Sequence, residues 1–348
     1  MTEPPVLRVG LLGCGRIARG VHMPVLQRLP GVRLAVIAEA DAAQRAEAAA
    51  RAGNATVVAD YREALSGGGL DAVVVCLPPN LHSPAATAAF AAGCHVYLEK
   101  PLAPTLSEAR PVLGAWTNSG RVGMIGFNFR FHPQIEVIRA RVRAGAIGRV
   151  LAVRTCFSIL PHDMPEWKRS RLGGGGVLLD LASHHVDLIR FMLGSEVVRV
   201  SAAIQSLGGE GDHAALQLEL ASGVSVQTFA SLGSVEEHRL EVFGSAGKLV
   251  MDRTELLEPA FEPASLHGAR VRRITKAMLA LDPRRLLRSP GAEPSFGRAL
   301  SAFVRAANGA GFDGPDLLDG ARSLAVIEAA ERSVQSGRVE TPDAVTAA

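Results

Sequence analysis

Val9-Gly10-Leu11-Leu12-Gly13-Cys14-Gly15-Arg16-Ile17-Ala18 is an apolar run that breaks into Gly-x-Gly-x-x-Ala. Each small residue in it has a separate task. Gly13 permits a tight turn out of a strand, Gly15 lets a pyrophosphate approach the backbone, and Ala18 lets the following helix pack close to the sheet. The free N–H groups and positive dipole end of that helix then face the phosphates. The pattern predicts a dinucleotide-binding strand-turn-helix. About 20 residues further on, Ala38-Glu39-Ala40-Asp41 closes the next strand, where an acid meets the adenosine ribose hydroxyls. Glu39 sits at the strand end and Asp41 suits the N-cap of a helix over 41–52. An acid there repels a 2′-phosphate, so NAD is preferred over NADP, although Arg45 offers a charge that can neutralise one.

Outward from the motif, short apolar runs alternate with helical stretches. Val6 to Leu12, Arg33 to Ala38, Ala55 to Val58, Ala72 to Leu77, His95 to Leu98 and Val122 to Ile125 read as strands. Apolar strands separated by helices signal a doubly wound parallel sheet covered on both faces. Ser83-Pro84 and Gly93 punctuate a helix beginning at Pro84. Past Gly126 the rhythm becomes period two: 149–157, 197–205, 213–220, 224–232, 239–243 and 248–251 predict an open, mainly antiparallel sheet. A helix over 132–143 precedes it, and amphipathic helices over 295–308 and 317–335 follow, long enough for one to return to the first sheet. The expected division is a dinucleotide-binding domain over 1–126 and an α+β substrate and oligomerisation domain over 127–348. With 348 residues, two domains are the default.

Composition narrows the function. Lys and Arg number 37 against 34 Asp and Glu, a net charge of +3 that gives no reason to expect a nucleic-acid partner. No apolar run reaches the roughly 18 residues a membrane span needs. Met1-Thr2-Glu3-Pro4-Pro5 has no basic head before an apolar run, so cytoplasmic residence is expected. Cys14, Cys76, Cys94 and Cys156 lack zinc-ligand spacing and read as reduced hydrophobes, with no metal site.

Two further stretches carry chemistry. The strand at His95 delivers Glu99-Lys100-Pro101 to the ligand edge of the sheet, where an amine can hold a substrate hydroxyl or exchange a proton. Leu77-Pro78-Pro79-Asn80-Leu81-His82 ends the strand before it, which makes Pro78, Asn80 and His82 neighbours of a bound cofactor. Later, Gly175 to Asp187 sets Asp180, His184 and Asp187 within about 60° of helical arc on an otherwise apolar helix. Ionisable groups there imply a paired or working site. The Gly173 to Gly176 run reads as a mobile border of that site. Arg130, Arg154, Trp167, Lys168, Arg169 and Arg171 are candidate anion contacts, and the basic stretch over 256–295, with Arg270, Arg272, Arg273, Lys276, Arg284, Arg285 and Arg288, reads as a solvated face, a lid or a subunit contact.

Taken together, Gly13-Cys14-Gly15-Arg16-Ile17-Ala18, Glu99-Lys100-Pro101, Gly126-Phe127-Asn128-Phe129-Arg130-Phe131-His132-Pro133, Ile147-Gly148-Arg149-Val150 and Asp180 with His184 and Asp187 resemble the glucose-fructose oxidoreductase/inositol dehydrogenase family (Gfo/Idh/MocA). The resemblance runs from about Val6 to Val339, and Ala182 departs from it where many relatives carry glycine. It implies an NAD(P)-dependent oxidoreductase acting on a hydroxyl or ketone of a sugar, cyclitol or polyol, with the chain assembled as a homodimer or homotetramer. It implies catalytic roles for Lys100, Asp180 and His184, with His185 turned about 100° away. Cofactor contacts fall on Gly13, Gly15, Arg16, Ile17, Glu39, Pro78, Asn80, His82, Glu99 and Lys100, and substrate contacts on Lys100, Arg130, Trp167, Asp180 and His184. Rival readings are an aldose-aldose hydride shuttle, a dihydrodiol or tetrapyrrole reductase with tightly held cofactor, and a non-catalytic cofactor-binding sensor. The intact Lys100, Asp180 and His184 argue against the sensor.

Overall fold

The computed structural model describes residues 6–161, 164–171, 173–253, 259–264 and 293–346. Most of the basic stretch over 256–295, including its seven named cations, lies outside the described residues.

Leu7–Leu12 (β1), Val32–Ala38 (β2), Thr56–Val58 (β3), Ala72–Val75 (β4), His95–Leu98 (β5) and Gly123–Ile125 (β6) pair in parallel, in the order β3-β2-β1-β4-β5-β6. All four residues of β4 are fully buried, as strands covered on both faces must be. The order reverses between β1 and β4, and a ligand crevice opens outside the carboxyl ends at that point.

Val150–Ser158 (β7), Val197–Gln205 (β8), His213–Leu220 (β9), Ser225–Ser231 (β10), Glu237–Gly244 (β11), Gly247–Asp252 (β12) and Ala260–Pro263 (β13) form the second sheet, ordered β13-β12-β11-β7-β10-β9-β8. Only β7 and β10 run parallel. Along β9 every second side chain, Ala214, Leu216, Leu218 and Leu220, is buried, which keeps one face on the helices and leaves the other open.

Among the described residues the α-helices are Met23–Leu26 (α1), Ala42–Ala49 (α2), Tyr61–Ser66 (α3), Pro79–Ala91 (α4), Leu106–Ser119 (α5), Pro133–Arg143 (α6), Glu166–Arg169 (α7), Ser183–Leu193 (α8), Ser295–Ala307 (α9) and Leu317–Ser336 (α10). Asp41 caps α2 through Gln44 N. Helix α9 returns to the parallel sheet, where Ala299, Leu300, Phe303 and Val304 join one core with Val9, Leu11, Val74 and Tyr97. Leu300 and Phe303 are fully buried, each worth about 1.5–3 kcal/mol. Helix α10 opens with a capping box between Asp316 and Asp319, and the Pro315 carbonyl accepts from Ile125 N beside it (3.0 Å).

Among the boundaries that differ from the sequence expectation, two lie beside the crevice. Helix α4 starts at Pro79, one turn before Pro84, because the buried His82 ring lies 2.7 Å from the Leu77 carbonyl and 2.6 Å from the Pro101 carbonyl and pins that turn. Pro79 takes the first position, where a missing N–H costs nothing, and Ser83 is a buried residue inside the helix instead of its cap. Strand β4 ends at Val75, two residues early, as the chain turns toward the crevice.

Candidate active site

The glycine turn is built to admit a dinucleotide. Gly13 has φ +87°, and a Cβ there would stand 2.7 Å from the Cys76 carbonyl, so β1 and β4 meet only around glycine. A Cβ at Gly15 would meet nothing within 4 Å, which leaves open space over the turn where a pyrophosphate belongs. Glu39 stands beside it, accepting from Cys14 N (2.7 Å) and Asp41 N (3.0 Å). Arg45 donates to the carbonyls of Glu39 (2.9 Å) and Ala40 (2.7 Å). Arg16 and Ile17 are exposed at the start of the following helical turn. Pro78 caps α4, Asn80 is exposed on its first turn, and His82 is buried.

Lys100 crosses from β5 to the second half of the chain. Its ammonium donates to the backbone carbonyl of Asp180 and to Oδ1, both at 2.7 Å. Lys168, on α7, donates to both oxygens of the same carboxylate at 3.1 and 3.0 Å. Burial pushes the Asp180 carboxyl up, but the two ammoniums outweigh it and hold it well below the usual carboxylate range. Burial lowers the Lys168 amine, and the Lys100 charge adds to that while Asp180 opposes it. Trp167 is half-buried, with Lys168 Nζ 5.6 Å from its ring centroid. The Lys100–Pro101 peptide is cis.

His184 completes the group. Burial, followed by the Lys100 charge, pushes its pKa well below the ordinary histidine value, so the imidazole is neutral near pH 7. Its ring is seated by aromatic neighbours, with centroids 4.7 Å from Phe129, 6.1 Å from Phe127 and 6.2 Å from Phe157. Nδ1 is buried with no partner among the described residues. His185 turns away, stacked on Phe157 at 5.3 Å.

The acidic stripe expected along this helix divides into two. Residues Leu178–Ala182 form a π-turn before α8, and the wider turn takes Asp180 out of the α-helical register assumed from the spacing. Asp180 therefore meets Lys100 and Lys168, while Asp187 meets Arg130, through Nε at 2.8 Å and Nη2 at 2.5 Å. Arg130 also donates to Asp319 (3.0 Å) and is 8% exposed, so its guanidinium is committed to a buried ion-pair network. Burial disfavours that charge, yet Asp187 and Asp319 more than restore it. The guanidinium expected to meet substrate thus ties α8 to α10 through Asp187 and Asp319.

Nor is the Gly173 to Gly176 run a loose border. Gly174, Gly175 and Gly176 are buried. A Cβ on Gly175 would stand 2.3 Å from the Lys168 carbonyl, one on Gly173 2.5 Å from the Trp167 carbonyl, and one on Gly174 2.7 Å from Pro79. Glycine serves close packing here: the run wedges α7 against the site and so aims Lys168. By sequence Lys168 is only a possible anion contact. The four glycines at 173–176, a short loop after it, were the available signal that its backbone is closely held.

A family model described as an oxidoreductase family with an NAD-binding Rossmann fold matches residues 7–140, and a GFO/IDH/MocA C-terminal domain matches 135–250. The chain is 30% identical over 351 residues to inositol 2-dehydrogenase of Rhizobium meliloti (strain 1021), covering 95% of this chain and 98% of that protein. It is 30% identical to 1,5-anhydro-D-fructose reductase of Ensifer adhaerens, covering 96% and 99%. Among solved structures, GenD2 from gentamicin A biosynthesis in complex with NAD superposes with a TM-score of 0.82 at 27% identity, covering 98% of this chain and 97% of that one.

Proposed function

This chain belongs to the GFO/IDH/MocA oxidoreductase family, and on that premise we propose that it moves a hydride between a nicotinamide and the hydroxyl or ketone carbon of a sugar, cyclitol or related polyol. The observation that carries the reading is the meeting of Lys100 from the ligand edge of the first sheet with Asp180, 2.7 Å away at the foot of α8, beside a neutral His184. When bound, the cofactor supplies the hydride acceptor or donor. The chain supplies the proton path: His184 takes the hydroxyl proton in oxidation and returns it in reduction, while Lys100 donates a hydrogen bond to the substrate oxygen. Asp180 holds Lys100 and Lys168 in place.

NAD is the preferred cofactor. The Glu39 carboxylate repels a 2′-phosphate, and Arg45 is turned to two carbonyls; the related GenD2 structure contains NAD. The polyol class is supported by relatives named for inositol and anhydrofructose. The reading places the cofactor on residues 1–126 and substrate on 127–348, and covers the open face of the second sheet, where Phe229 is 40% exposed, with a second copy of the chain. Light scattering that returns a monomer would contradict the last point.

The primary test is reduced-nicotinamide absorbance with NAD and NADP against a panel of inositols, aldoses, anhydrosugars and linear polyols. Turnover of one or more panel members supports the reading. Cofactor binding without turnover of any would make the protein a sensor.

A further inference from the structure

His22 lies outside every motif of the sequence reading, yet it has one of the most enclosed polar side chains in the chain, with no exposed surface. It ends the π-turn Ala18–His22 that begins at the last small residue of the glycine motif. Its Nε2 stands 2.7 Å from Glu99 Oε1, one residue before Lys100. Nδ1 has no partner among the described residues, so a proton there would be buried without an acceptor. The ring therefore carries its hydrogen on Nε2 and donates it to Glu99. Tyr97 and Phe296 close on the imidazole edge-to-face, each with centroids 5.7 Å away, which denies it another rotamer.

Glu99 is held as firmly from the other side. A Cβ on Gly126 would stand 3.0 Å from Oε2, so the carboxylate packs directly on the end of β6. Of the two side chains, only that of Glu99 keeps any exposure, 12%. The pair thus joins the helix that follows the phosphate turn to the strand that delivers Lys100, and the one polar group it leaves accessible is an oriented carboxylate at the crevice. Its neighbours are the strand ends, not the ribose site marked by Glu39. A carboxylate accepts hydrogen bonds only. The donors a dinucleotide offers on that side are the carboxamide and ribose hydroxyls of its nicotinamide half.

We propose that His22 is a positioning residue that presents the Glu99 carboxylate to the nicotinamide half of the cofactor and fixes the spacing between the phosphate turn and Lys100. The proposal rests on the nicotinamide reading above, so the experiment separates the two. NADH and ADP, which lacks the whole nicotinamide half, are titrated by calorimetry into the full-length wild type, His22→Phe, His22→Gln and Glu99→Gln. The wild type should bind both. His22→Phe and Glu99→Gln should weaken NADH at least about tenfold, the range for losing a hydrogen bond to a charged group, while ADP stays within about twofold. His22→Gln, whose amide can donate to Glu99, should recover NADH to within about threefold. The proposal is overturned if His22→Phe or Glu99→Gln binds NADH as the wild type does, or if both nucleotides weaken equally. If His22→Phe does not fold, His22→Ala, which removes the same donor without added bulk, takes its place with the same expected losses. Failure of the wild type to bind either nucleotide would instead defeat the cofactor reading itself.

Discussion

Gly175→Ala tests whether the glycine wedge aims the active site. The residue has no left-handed φ, so alanine suits its backbone, and the cost is purely steric. The added Cβ would stand 2.3 Å from the carbonyl oxygen of Lys168 and 2.6 Å from its Cα, about 1 Å short of ordinary van der Waals contact and against backbone that cannot rotate away. Helix α7 must move by about that amount. Lys168 Nζ, now 3.0 and 3.1 Å from the Asp180 oxygens, would pass beyond hydrogen-bond reach. Overpacking costs about 1–3 kcal/mol of stability. A 1 Å misplacement costs up to about a hundredfold in rate. Expected is a kcat/KM reduced roughly ten- to hundredfold on whichever polyol the wild type turns over, with NADH affinity unchanged and a melting temperature a few degrees lower. Lys168→Met should lose a similar factor without the loss of stability. Turnover within about twofold of wild type in folded Gly175→Ala would refute the claim that α7 must approach this closely.

Lys100→Met and His184→Ala should each lower turnover at least about a hundredfold while NADH still binds in a fluorescence titration; near-normal turnover in either removes that residue from the mechanism. Glu39→Ala should weaken NAD at least about tenfold relative to NADP, read as a ratio of kcat/KM values, because the acid both holds ribose hydroxyls and repels phosphate. Acid stability follows from His185, whose pKa burial lowers from 6.5 to about 3. The unfolded chain then binds more protons than the folded one between those values, so stability present above pH 6.5 is lost as pH falls toward 3. At pH 5 this one residue removes about 2 kcal/mol, and His185→Leu should move the acid-unfolding midpoint measured by circular dichroism to lower pH. Gly114→Ala, inside α5 with nothing within 4 Å of the new methyl, should raise the melting temperature by about 1–3 °C.

What could be read from the chain alone divides along the range of the interactions. The parallel sheet was legible because β1, β4 and β5 announce themselves through apolar runs and the Gly13–Ala18 turn, all local features. Lys100 was legible for the same reason: a strand end is a position, and a strand end in this topology faces the crevice. The ion pairs of Arg130 were not legible because its partners lie 57 and 189 residues away, at Asp187 and Asp319, and no local pattern records that they converge. The helix C-cap and N-cap rules likewise could not place the start of α4, since His82 reaches forward to Pro101 to fix it.

Asp180 shows why spacing alone misleads at such a site. An α-helical reading groups it with His184 and Asp187, and period 3.6 allows nothing else. The π-turn from Leu178 to Ala182 breaks that period, and it has a functional consequence. Once Asp180 is turned toward Lys100 and Lys168, its charge is spent on two ammoniums, and among the described residues no oxygen partners the imidazole Nδ1. His184 must then be oriented by shape, and Phe127, Phe129 and Phe157 provide it. An apolar seat also keeps the imidazole neutral, which is the state a proton acceptor needs, whereas a bonded carboxylate would raise its pKa. Phe129→Ala should thus raise the His184 pKa seen by NMR titration and shift the acid limb of the oxidation rate to higher pH. An unchanged His184 titration in that variant would mean that the charges of Lys100 and Lys168, and not the rings, hold it neutral.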